Sequence, residues 1–115
     1  MRQLIKTYNG GVNMASSADF VEYIAEQLSD AGNITYRKMF GDYGMYSDGK
    51  IFSLICDNQF FVKVTSVGEK LIPNPILQPP YKGAKPYFLI EDIDNREFLT
   101  ELVIKTCEEL PIPKR

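Results

Sequence analysis

Between Ile34 and Thr65 the hydrophobic period switches from helical to extended. It stays extended through ITYRKMF, GMYS, KIFSLIC and QFFVKVT, runs rich in aromatic and β-branched residues. Gly41, Asp48-Gly49 and Asp57-Asn58 punctuate them, and Asp-Gly between such runs is the strongest short-range hairpin signal. Strands joined by reversals this tight must pair antiparallel, so the stretch predicts a meander with one covered face. Phe52, Leu54 and Cys56 are assigned to one face of their strand, and Phe60, Val62 and Val64 to one face of theirs. Lys63 and Thr65 are assigned to the opposite side.

Helical patterns flank this region. Ser16 and Asp19 give a capping signal before a stripe of Phe20, Val21, Ile24, Ala25, Leu28 and Ala31, and Gly32 supplies a left-handed stop. The acids Asp19, Glu22, Glu26 and Asp30 fall on its other faces, a solvated side. Ser66 and Glu69 open a short helix that Pro73 ends. The segment PNPILQPPYKGAKP follows and reads as a stiff, ordered loop over a sheet edge. KPYFLI is a further strand with Pro86 at its start. Asp94 and Glu97 open a last helix whose stripe is Phe98, Leu99, Leu102, Val103, Thr106, Cys107 and Leu110, ended by Pro111 and Pro113. Clustered strands with flanking helices predict an α+β, two-layer sandwich: an antiparallel sheet of about five strands with helices packed on one face. The 115 residues suit a single domain over 14–115, with 1–13 as a tail or extension.

Residue types narrow the chemistry. Histidine is absent, which removes Ser-His-Asp and Cys-His nucleophile systems and His-bearing zinc sites. The two cysteines, Cys56 and Cys107, sit in apolar patterns and read as buried free thiols in a reducing cytoplasm. The acids form no obvious catalytic pair. The expectation is no enzyme, no cofactor and no metal. No apolar run approaches the ~20 residues of a membrane helix, and MRQLIKTYNGGVN lacks the apolar centre of a secretory signal, so a cytoplasmic location is expected. Charge is uneven around the net −2: residues 16–32 carry four acids and no base, 33–85 seven bases and four acids, 91–110 seven acids and two bases. A mildly basic centre between acidic flanks is no broad footprint for nucleic acid.

Two motifs mimic phosphate binders. Gly44 to Lys50 spells G-x-x-x-x-G-K, but Ile51 replaces the hydroxyl and an extended run follows where a helix is required. Gly41-Asp42-Tyr43-Gly44 matches the G-x-x-G of RNA-binding loops, yet it joins strands and carries an acid. A third group, Tyr36, Arg37, Lys38, Phe40, Tyr43 and Tyr46, mixes aromatics with cations in the manner of single-strand binders. The plainer account makes these cross-strand pairs with solvated cations. Lys63, Lys82 and Lys85 would extend the basic strip.

The stretch ITYRKMFGDYGMYSDGKIFSLICDNQFFVKV resembles the N-terminal domain of the TfoX/Sxy family, and the likeness runs from about Ala18 to Leu110. Its carriers are Arg37, Lys38, Met39, Phe40, Gly41, Tyr43, Gly44, Asp48, Gly49, Lys50, Phe52 and Lys63; Asp42 departs from a glycine common among relatives. The resemblance implies a fold similar to type III secretion chaperones, often dimeric. Longer members regulate natural competence with the cyclic-AMP receptor protein and carry a second, helical domain, which is not expected in a chain ending at Arg115. It implies no catalytic residues. The expected function is a non-enzymatic interaction and regulatory module, a transcription co-regulator whose partners are another protein of the transcription machinery and a second copy of itself. The sheet edge beside the proline-rich loop and the lack of a catalytic set motivate it, and Arg37, Lys38, Tyr43, Lys50 and Lys63 are the candidate interaction residues. Met39, Phe40, Gly41, Gly44, Asp48 and Gly49 are expected as scaffold. The alternatives are a weak nucleic-acid binder using the Tyr36–Lys50 strands and a small-ligand domain with its pocket under 73–86.

Overall fold

The computed structural model describes residues 16–39 and 41–111; the expected tail at 1–13, Phe40 and Pro113 lie outside them. Three helices, α1 (Ala18–Gln27), α2 (Ser66–Leu71) and α3 (Arg96–Glu109), accompany six strands. The strands are β1 (Ile34–Met39), β2 (Asp42–Ser47), β3 (Lys50–Cys56), β4 (Gln59–Val62), β5 (Leu77–Gln78) and β6 (Tyr87–Ile90). All neighbours are antiparallel, in the order β1-β2-β3-β4-β6-β5. The α+β sandwich is as expected, with a sixth strand inside the proline-rich segment. That strand is two residues long and carries no alternating pattern from which it could be read.

Each helix begins one residue away from its expected cap. Ser17 caps α1 by accepting from Phe20 N, Thr65 caps α2 by accepting from Gly68 N, and Asn95 caps α3 by accepting from Phe98 N. In each case two capping-type residues stand side by side, and the other is used for tertiary contact. Ser16 Oγ lies 3.2 Å from Asp42 Oδ1 and accepts from Asn58 N at 3.0 Å. Ser66 Oγ donates to Glu109 at 3.0 Å, and Asp94 accepts from the Tyr23 hydroxyl. The helical stripes are as read: Val21 and Ile24 from α1, its C-cap Leu28, and Leu99, Leu102 and Val103 from α3 are buried together. Gln27 joins them as a buried polar residue, its Nε2 donating to Ile93 O at 2.9 Å.

The turns are as expected in place and kind. Asp48 (φ 50°) and Gly49 (φ 81°) both take positive φ between the paired Ser47 and Lys50, the geometry of a primed two-residue turn. Asp57 and Asn58, both at φ 55°, repeat it between Cys56 and Gln59.

The facial assignment of β3 requires correction. Its register with β2 passes from Met45↔Ser53 to Tyr46↔Ile51 and skips Phe52. This extra residue, a bulge, reverses the side-chain alternation. Phe52 therefore lies with Ile55, Phe60, Val62, Phe88 and Ile90 in the core beneath the helices. Leu54 and Cys56 lie on the other face with Phe61, Leu89 and Tyr87. Val64, past the end of β4, is exposed rather than part of a strand face.

Candidate functional site

The proposed interaction residues are dispersed by the sheet. Arg37 and Lys38 are neighbours on the exposed strand β1, so they project to opposite faces. Lys38 stands directly opposite Tyr43, and Arg37 opposite Gly44. Tyr43 packs against the main core and meets Tyr36 edge-to-face, with ring centroids 5.8 Å apart. Lys63 lies beyond Val62, its N–H donating to Phe52 O at 2.9 Å, three ladder positions from the Tyr43–Ile55–Phe60 row. Lys50 is engaged elsewhere: Nζ donates to Cys107 O (2.6 Å) and Leu110 O (3.0 Å). These are carbonyls that the last turn of α3 leaves without helical partners, and a cation there also complements the helix dipole. Lys50 is thus a helix-capping residue, joining β3 to α3.

The scaffold residues have distinct duties. Gly41, at φ 88°, turns β1 into β2. Gly44 provides close approach: a Cβ there would stand 2.4 Å from Met39 Cε and 3.2 Å from Ile51 Cδ1. Met39 therefore lies across a strand that has no side chain at that point. Asp42 accepts from Ser16 Oγ and from Asp57 N at 3.3 Å, tying the first turn of the meander to the third. Asn58 adds a second tie by accepting from Ser17 N at 2.8 Å. Sequence reading identified 57–58 as a turn but had no signal for these side-chain roles, since the partners are 15 to 41 residues away.

Neither phosphate-binder mimic has the required context. Gly44 to Lys50 runs strand, turn, strand, and Gly41 to Gly44 connects β1 to β2. The thiols are also held back. Burial, then the Asp42 carboxylate beside it, pushes Cys56 up to about 12, and burial raises Cys107 against the opposing pull of Lys50. Both are protonated at neutral pH and poor nucleophiles. A shallow groove of about 470 Å³ lies along α3, lined by Asp30, Arg96, Ile104 and Lys105 among others. Arg96 bridges Asp30 and Glu26 across its rim at 3.8 and 3.9 Å, exposed pairs of small energetic weight.

The sheet edges are the remaining feature. Bonded and non-bonded pairs alternate along the β1–β2 ladder, and the bonded ones are Thr35↔Tyr46, Arg37↔Gly44 and Met39↔Asp42. Asp48 N donating to Asn33 O at 3.0 Å agrees with that phase. Ile34, Tyr36 and Lys38 therefore direct their N–H and C=O groups away from β2, where no further strand lies among the described residues. At β5, Leu89 N donates to Ile76 O at 2.9 Å, which places Ile76 and Gln78 in phase with β6 and turns Leu77 outward. The next outward positions are Pro75 and Pro79, which have no N–H.

The family model for the TfoX N-terminal domain matches residues 26–109. An uncharacterized 12.7 kDa protein in the trpE 5′ region of Spirochaeta aurantia is 31% identical over 102 residues, covering 88% of this chain and 89% of that protein.

Proposed function

The chain belongs to the TfoX N-terminal domain family, and on that premise we propose that it is a non-enzymatic regulatory module of the cytoplasm that works by docking a protein on the β1 edge of its sheet. The observation that carries this reading is the ladder of Ile34, Tyr36 and Lys38, open among the described residues: three consecutive outward positions, each with a donor and an acceptor. An extended segment laid along them gains main-chain hydrogen bonds without any rearrangement of the sheet. The missing histidines and the protonated thiols support a role other than catalysis. Base recognition is less well served, because Arg37 and Lys38 project to opposite faces and Lys50 is occupied by α3.

The test is position-specific photocrosslinking in the producing cell, with benzoylphenylalanine replacing Tyr36 in one variant and Leu77 in another. Protein adducts are expected from position 36 and not from 77. Absence of adducts at 36, or the same adducts from both positions, overturns the reading. An adduct of twice the chain's mass identifies a second copy as the occupant.

A further inference from the structure

Resting on that docking reading, we infer that the β1 edge is built to receive an extended segment of acidic–apolar alternation from another protein, added as a further strand of the sheet. Charge is the first argument. Arg37 and Lys38 are exposed, and no ion pair reaches either of them among the described residues. Their partners across the ladder, Gly44 and Tyr43, carry no charge. The nearest motif acid, Asp42, is already committed to Ser16 and Asp57. Each face of the edge therefore offers one uncompensated cation to whatever strand arrives, and opposite charges paired across neighbouring strands are favourable.

Shape is the second argument. On the helix-covered face, half-buried Ile34 packs against the core, and Tyr36, 38% exposed, leans on Tyr43. An incoming apolar side chain extends that contact. On the other face Thr35 and Arg37 alternate with it, which suits an acid. The pattern demanded is thus period two, apolar toward Tyr36 and acidic toward Arg37, with a further acid at the Lys38 end.

The alternatives fit less well. A second copy paired antiparallel about Tyr36 sets Arg37 against Thr35 and Lys38 against Ile34, leaving every cation without a counter-charge. Self-pairing about Arg37 opposes like charges, which is destabilising. A nucleic-acid strand needs its cations on one face.

The experiment uses the ¹⁵N-labelled full chain and short acetylated peptides that alternate glutamate with valine and end on two adjacent glutamates, one for each face, with lysine replacing glutamate in the control peptide. The glutamate peptide is expected to shift the amide signals of Ile34, Tyr36 and Lys38 while leaving those around Leu77 in place. Combining R37E with K38E, both exposed and so tolerated by the fold, is expected to weaken that peptide about tenfold or more, equivalent to about 1.4 kcal/mol, and to gain binding of the lysine peptide. Equal binding of both peptides overturns the acidic assignment, as does failure of both while crosslinks from position 36 to another protein persist. Loss of those crosslinks as well is the separate failure of the docking reading. Crosslinks to a second copy alone also overturn the inference.

Discussion

At β1, three outward residues each keep an N–H donor, and protection against promiscuous pairing rests on the charges of Arg37 and Lys38. At β5, a single outward residue, Leu77, stands between Pro75 and Pro79, so the donors on either side have been removed covalently. Both devices are recognised guards of sheet edges. They differ in selectivity. Proline excludes every incoming strand alike, whereas cations exclude basic strands and leave an opening for acidic ones. This explains how Leu77 of β5 and its neighbours Ile76 and Tyr81 can be exposed without making that edge the sticky one. The edge with fewer apolar residues is the one still able to pair.

The sharpest way to break this contrast is to move proline along β1 by one residue. Arg37 and Lys38 are both exposed cations and differ chiefly in hydrogen-bond phase. Arg37→Pro removes a bonded N–H and leaves Gly44 short of its partner, so it should cost about 3 kcal/mol, the scale on which proline disrupts hydrogen-bonded backbone. Lys38→Pro removes only an outward donor and should cost well under half as much. Urea unfolding of the two variants decides the phase, and equal losses would refute it.

A second comparison sets a structural lysine against an edge lysine. Lys50→Met leaves two carbonyls of α3 without their ammonium partner and should cost about 2 kcal/mol, typical for hydrogen bonds to a charged group. Lys38→Met should stay within about 0.5 kcal/mol. Thermal and urea denaturation measured side by side would show whether the two residues belong to one surface, as comparable losses would imply.

The β5 guard is tested by removing it. Pro75→Val with Pro79→Val should leave stability little changed and create a second open edge, visible as concentration-dependent association in light scattering. A double variant that remains as dispersed as the parent would show that the prolines are not what closes this edge.

The smallest effect concerns the approach to β5. Glu109 accepts from Ser66 N and Val67 N, bonds that hold its carboxyl below the ordinary value. A lowered folded pKa contributes stability above the unfolded pKa, and the contribution fades as pH falls through the folded value. The melting temperature of the parent should therefore exceed that of Glu109→Gln at neutral pH, with the gap closing as acid is added below the ordinary carboxylate range. A gap independent of pH would remove this carboxylate from the linkage between α3 and α2.

How much of this was legible depended on the range of the interaction. The meander was readable because Asp48-Gly49 and Asp57-Asn58 demand positive φ locally, whatever surrounds them. The helical stripes were readable because periodicity survives in one dimension. Caps were readable only to within one residue, since Ser16-Ser17, Thr65-Ser66 and Asp94-Asn95 each offer two competent side chains. Which of the two caps depends on whether Asp42, Glu109 or Tyr23 stands nearby to engage the other. The bulge at Phe52 was hidden for a similar reason: KIFSLIC alternates well in either phase, and only pairing with β2 on one side and β4 on the other selects the skip.

For the candidate site, residue types were visible and their grouping was not. Arg37, Lys38, Tyr43, Lys50 and Lys63 look like one basic–aromatic strip along the chain. Folding sends Lys50 to the end of α3 and splits Arg37 from Lys38 by the pleat. The chain alone determined its turns, its helical stripes and the α+β class, because backbone preference and periodic burial act over a few neighbouring residues. Tertiary structure decided which cations remain free, which face Phe52 occupies and which edge stays open, because hydrogen-bond phase and side-chain partnership exist only once distant strands have met.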